Sequence, residues 1–118
     1  MGRDVTEDEL MSGITGALEL AGWRWMHIIA SHGVTQGDVG WPDIIAVHPS
    51  RERAPILAWE LKGDGGRPSG DQVAWIAALF AVGDRYEPAP IDARMLYPDD
   101  YDRALDLILG RTATFDGP

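Results

Sequence analysis

The chain has 118 residues, 45% hydrophobic and 25% charged, which suits one soluble globular domain with its own core and leaves too little chain for two. It has no cysteine, which excludes a disulfide scaffold and any thiolate metal site. The net charge of −9 argues against a protein that coats nucleic acid. It leaves room for an enzyme that holds divalent cations between carboxylates.

No apolar run approaches the length of a membrane span. The opening "MGRDVTEDEL" lacks the apolar stretch of a secretion signal, so the expected location is the cytoplasm and no membrane partner is expected. A first helix is predicted from Thr6 to Ala21. Leu10, Ile14, Ala17, Leu18 and Ala21 recur at helical spacing, Thr6 with Glu9 forms a capping-box pattern, and Gly22 closes it. "WRWMHIIA", Trp23 to Ala30, reads as a strand. A glycine-punctuated loop follows, and then a second strand, Asp43 to His48, entered through Pro42. After a turn, "PILAWELK" is a third strand running into the loop "GDGGRPSG". A second helix is expected from Gly70 to about Val82, with Ser69 and Gln72 as another capping box. "IDARMLY" is a fourth strand. "PDDYDRALDLILG" is a final helix with acid in its first turn, where the helix dipole favours it. The order α-β-β-β-α-β-α predicts an α/β domain with a small mixed sheet, a three-stranded meander followed by a helical crossover.

One stretch concentrates the chemistry. Glu60 and Lys62 lie two apart on the third strand, so their side chains leave the same face. Lys62 is the only lysine beside nine arginines. A lysine supplies a compact ammonium that an arginine cannot. A carboxylate and an ammonium at the end of an apolar strand are costly unless paired or used. A meander sets Asp43, at the start of the second strand, beside Glu60. Two carboxylates and an ammonium are the minimum set for Mg²⁺-dependent hydrolysis of a phosphate ester. A solvated strand-end ion pair is the plainer reading of the same residues. Arg51, Arg53, Lys62 and Arg67 form the densest basic stretch, the candidate phosphate contacts. The glycines at 63, 65 and 66 suggest a loop able to close over a substrate. The loop is not a P-loop, because no G-x-x-x-x-G-K-[ST] is present.

"GWPDIIAV", "LAWELKG" and "SGDQVAWIAAL", in that order, resemble the VRR-NUC family of PD-(D/E)xK nucleases, in particular its small stand-alone, phage-type members. "GWRWMH" and "YPDDYDRAL" add to the likeness, which covers about Thr6 to Leu109. The resemblance implies a restriction-endonuclease-like αβββαβ core plus a C-terminal helix. It implies a DNA endonuclease using Mg²⁺, with Mn²⁺ able to substitute, and a link to branched or junction DNA in a bacterial or phage-infected cell. Asp43, Glu60, the Leu61 carbonyl and Glu9 would hold the metal. Lys62 would be the catalytic lysine, and Gln72 would line the site.

Local readings stand beside these roles. Glu9 also reads as the capping partner of Thr6, with Glu7 a second candidate for the family glutamate, and Gln72 also reads as the capping partner of Ser69. Trp75 reads as core packing rather than base stacking, and His27 as a packed histidine. His32 stands near the position where family members carry an arginine, so a phosphate contact there would be weaker. Symmetrical cutting of a junction would need a homodimer. The alternatives to an endonuclease are a catalytically weak DNA-binding domain on the same fold and an acidic interaction module.

Overall fold

A computed structural model of the protein describes residues 4–28 and 37–115. Its elements are α1 (Glu7–Leu20), β1 (Arg24–His27), β2 (Ile44–Val47), β3 (Ile56–Leu61), α2 (Gly70–Gly83), β4 (Ile91–Leu96) and α3 (Tyr101–Ile108), the last preceded by a 3₁₀ turn at Pro98–Asp100. The four strands form one mixed sheet in the order β1-β2-β3-β4. β1, β2 and β3 are antiparallel neighbours, with Trp25 opposite Ala46 and Ile44 opposite Trp59. β4 lies parallel to β3, with Glu60 opposite Met95. Parallel neighbours cannot be joined by a hairpin, so α2 forms the crossover.

The sheet separates two unequal layers. Leu57, Trp59 and Leu61 alternate onto one face, where they join Leu10, Ile14 and Leu18 of α1 and Leu107 and Ile108 of α3 in the core. Ala58 and Glu60 leave the opposite face, towards α2. Every residue of β3 after Ile56 is buried, as expected of a central strand covered on both sides. Both predicted capping boxes are present, Thr6 with Glu9 and Ser69 with Gln72. No helix among the described residues is long and apolar enough to cross a membrane.

Two boundaries differ from the sequence reading for reasons of packing and capping. β1 begins at Arg24 because Trp23 turns into the core, where its indole N–H donates to the Ile108 carbonyl at 2.8 Å. Residues 29 and 30, the far end of the predicted strand, lie outside the described residues. The expected last helix is divided: Asp100 Oδ2 accepts from the Tyr97 N–H at 2.9 Å and holds the 3₁₀ turn, and α3 proper starts at Tyr101.

Candidate active site

The approach to Asp43 is shaped by Gly40. Its φ of +100° lies in the region that favours glycine, and a Cβ there would fall 2.5 Å from the Asp71 carbonyl carbon of α2. Only glycine lets this segment rest on the first turn of α2. Beside it, Trp41 meets Trp75 edge-to-face at 4.8 Å, and the Trp75 indole N–H donates to the Asp38 carbonyl at 3.2 Å. Trp75 therefore staples residues 38–41 to α2; it is half-buried and lies outside the core cluster in which the sequence reading places it.

Asp43 then reaches across to β3, where its Oδ2 accepts from the Leu61 N–H at 3.0 Å. This bond sets the Asp43 carboxylate against Glu60. Glu60 is 2% exposed and is the one buried charged residue among those described. Its Oε2 accepts from Gln72 Nε2 at 2.9 Å and lies 3.5 Å from Lys62 Nζ. Its Oε1 is buried and takes no hydrogen bond from a donor group, and the Glu60 carboxyl lies within hydrogen-bonding reach of the Asp43 carboxyl. Burial, followed by the neighbouring Asp43 carboxylate, pushes the Glu60 carboxyl up to about 7, against the opposing pull of Lys62.

Gln72 performs both tasks that the sequence left open. Its Oε1 accepts from the Ser69 N–H at 2.9 Å, completing the capping box, and this fixes the amide so that Nε2 faces Glu60. Lys62 is held by its own N–H, which donates to the Leu96 carbonyl at 2.9 Å, and its side chain is only 14% exposed.

The loop after Lys62 differs from expectation. Gly63 is buried, and a Cβ on it would fall 2.6 Å from the Glu7 backbone nitrogen. Asp64 Oδ2 accepts from the Val5 N–H at 2.7 Å, and the Asp64 N–H donates to the Val5 carbonyl at 2.9 Å. The first half of this loop is thus clamped to the start of α1, and it does not form a free flap. Asp64 has a structural use that the sequence reading missed, because its partner lies 59 positions away.

Other candidates are dispersed. Glu9 turns back into the capping box, its Oε1 accepting from the Thr6 N–H and hydroxyl, each at 3.1 Å. No group of three His, Asp or Glu side chains able to hold a metal forms among the described residues. Glu7 is exposed.

Arg51 requires correction as a phosphate contact. Its guanidinium donates to the Leu107 and Ile108 carbonyls at 3.0 and 2.9 Å, satisfying the C-terminal end of α3. Arg53 is exposed with a φ of 67°, and Arg67 is exposed in the loop before α2. His27 is exposed at the end of β1 rather than packed, and His32 lies outside the described residues.

The structure therefore brings together Asp43, Glu60, Lys62 and Gln72, with Leu61 on the same strand between two of them. A buried carboxylate beside a half-buried one, with an ammonium and a fixed amide donor, can receive a cation and stabilise a polar transition state beside it. Against family models, curated proteins and solved structures, the chain finds no match.

Proposed function

We propose that this protein is a divalent-metal-dependent nuclease that hydrolyses DNA phosphodiester bonds, built on a restriction-endonuclease-like αβββαβ arrangement. One observation carries the reading: the buried Glu60 carboxyl lies against that of Asp43, and its Oε1 takes no hydrogen bond from any donor group among the described residues. A buried polar atom left unsatisfied has a reason. Two carboxylates side by side are unfavourable until a proton or a cation joins them, and above the raised pKa of Glu60 a cation is what remains. Hard oxygen donors on both suit Mg²⁺, with Mn²⁺ as a substitute.

Asp43, Glu60 and the Leu61 carbonyl would hold the ion. When bound, such an ion polarises a phosphoryl oxygen and acidifies water. The protein's own groups supply the remainder. Gln72 and Lys62 fix the orientation of the Glu60 carboxylate. The Lys62 ammonium stabilises negative charge gathering on the phosphorus oxygens. Arg67, exposed on the neighbouring loop, offers a phosphate contact. The ordered motifs support DNA as the substrate, and the family resemblance makes branched or junction DNA the first form to test. The alternative is a weakly active binding module on the same fold, favoured by the loss of Arg51 from the basic set.

The test is cleavage of labelled single-strand, duplex, flap and four-way-junction DNA with Mg²⁺, Mn²⁺ or EDTA, beside Asp43→Ala. Metal-dependent cutting absent from the variant supports the nuclease. Retention of DNA without cutting on any form supports the binding module, and neither cutting nor retention removes both.

A further inference from the structure

Three of the five tryptophans belong to the core: Trp23 and Trp59 lie in it, and Trp25 packs against it. The other two, Trp41 and Trp75, stand outside it and beside the carboxylates. Trp41 comes two residues before Asp43 and is 39% exposed. Trp75 lies about one helical turn beyond Gln72 on α2. The antiparallel register that sets Ile44 opposite Trp59, carried past the end of β2, brings Asp43 level with Glu60 and Trp41 level with Lys62.

Trp41 is exposed and yet held in place. Gly40 before it rests on the backbone of Asp71, and Pro42 after it is fully buried. Trp75 meets its ring edge-to-face, and the Trp75 indole is itself tied to the Asp38 carbonyl. A ring fixed in this way loses little freedom when a flat ligand stacks on it.

We propose that Trp41 is the stacking platform for one unpaired nucleobase of the strand being cut, with the scissile phosphate beside Lys62. The inference rests on the nuclease reading and names the substrate class of that site: DNA with at least one base out of the duplex stack next to the cut. Neither a branch nor a second strand is required. A base inside a duplex shows a protein only its edges, so an aromatic side chain reaches its face only where pairing is absent or broken. Charge separates the two halves of the nucleotide. Lys62 and the exposed Arg67 serve the phosphate. The hollow of about 400 Å³ beside Trp75 has Asp38 and Asp71 in its lining and no basic residue, so it repels phosphate and leaves room for a neutral base. Stacking supplies affinity that a chain of net charge −9 does not gain from its surface field.

The experiment uses a labelled single strand of about eight nucleotides, within the site size of one small domain, and an abasic strand of the same length. Affinity is read by anisotropy in Ca²⁺, and kcat/KM for cutting in Mg²⁺. Trp41→Ala is expected to weaken binding of the intact strand about 5- to 150-fold, the range for one stacked base, and to lower kcat/KM by a like factor. Trp41→Phe should keep most of both. Removing the bases should weaken the parent at least as much, and Trp41→Ala should then cost little more, a coupling that a merely structural tryptophan does not produce. The salt slope of Trp41→Ala should equal that of the parent, because stacking releases no counterions. The proposal is overturned if Trp41→Ala handles the intact strand like the parent, if it weakens the abasic strand as much as the intact one, or if the parent cuts paired duplex better than single strand. In those cases a parent that cuts keeps its nuclease assignment. Strand binding with the Trp41 coupling but without cutting removes the nuclease reading and keeps the stacking. Neither binding nor cutting overturns both.

Discussion

Gln72 Nε2 donates to Glu60 Oε2 at 2.9 Å while the same amide's oxygen caps α2 through the Ser69 N–H, also at 2.9 Å. One side chain therefore joins the start of a helix to the carboxylate pair beneath it. The two jobs can be separated by substitution. Gln72→Glu keeps an oxygen for the capping box but turns a donor into a third carboxylate beside Glu60 and Asp43. The metal-free variant is expected to lose on the order of 1–3 kcal/mol at pH 8 and little of this at pH 5, where a carboxyl there holds a proton. Urea unfolding at the two pH values checks it. Equal losses at both would show that Gln72 acts through the cap alone.

The raised pKa of Glu60 makes the metal-free protein pH-sensitive. The group sits near 7 when folded, against an ordinary value of 4.5. Between these values the native state binds more protons than the unfolded chain, so stability falls as pH rises through the interval and then levels off. The contribution is fully present below about 4.5, and the loss is on the order of 3 kcal/mol by pH 8. Thermal melts in EDTA from pH 5 to 8 should show this decline, and Glu60→Gln should flatten it. Added Mg²⁺ should raise the melting temperature at pH 8 far more than at pH 5. A Mg²⁺ shift that ignored pH would separate the ion from Glu60.

Gly40→Ala is expected to be among the most damaging single-methyl changes in the chain. It combines a φ of +100° with a 2.5 Å approach to the α2 backbone, so both the turn and the seating of α2 must give way. A loss of about 3 kcal/mol or more follows from strain plus overpacking. Gly16→Ala is the control, because a Cβ there meets nothing within 4 Å and alanine favours helix. Chemical denaturation of both chains compares them. A mild effect at Gly40 would mean that the Asp43 segment moves freely against α2.

Arg51 and Arg67 should give opposite phenotypes. Arg51→Ala removes two charge-assisted bonds to the end of α3, an expected loss of about 1–3 kcal/mol, and leaves the DNA affinity of the folded protein unchanged. Arg67→Ala should change stability by less than about 0.5 kcal/mol yet lower DNA affinity and reduce the salt slope by about one. Melting curves and anisotropy titrations at several salt concentrations distinguish the two. If Arg51→Ala alone weakened DNA binding, the basic stretch would work as the sequence first suggested.

Local rules made much of this protein readable from its residues alone. Capping pairs act over three positions, so Thr6 with Glu9 and Ser69 with Gln72 were legible as helix starts. Alternation along a strand has a period of two, so Glu60 and Lys62 had to share a face. Strand, turn and helix signals gave the element order. What sits beside what across long separations was decided only by folding. Arg51 is claimed by carbonyls 56 and 57 positions away, and Asp64 by Val5, and no local pattern marks either pairing. Glu9 could cap its helix or face a metal from the same position in the chain, and in the folded state its carboxylate accepts from the Thr6 N–H and hydroxyl. In α2 periodicity is silent, because a helix apolar on every side does not reveal which side its own sheet will cover. That choice fell to the packing of α2 on β3 and β4, which left Val73 and Phe80 facing outward.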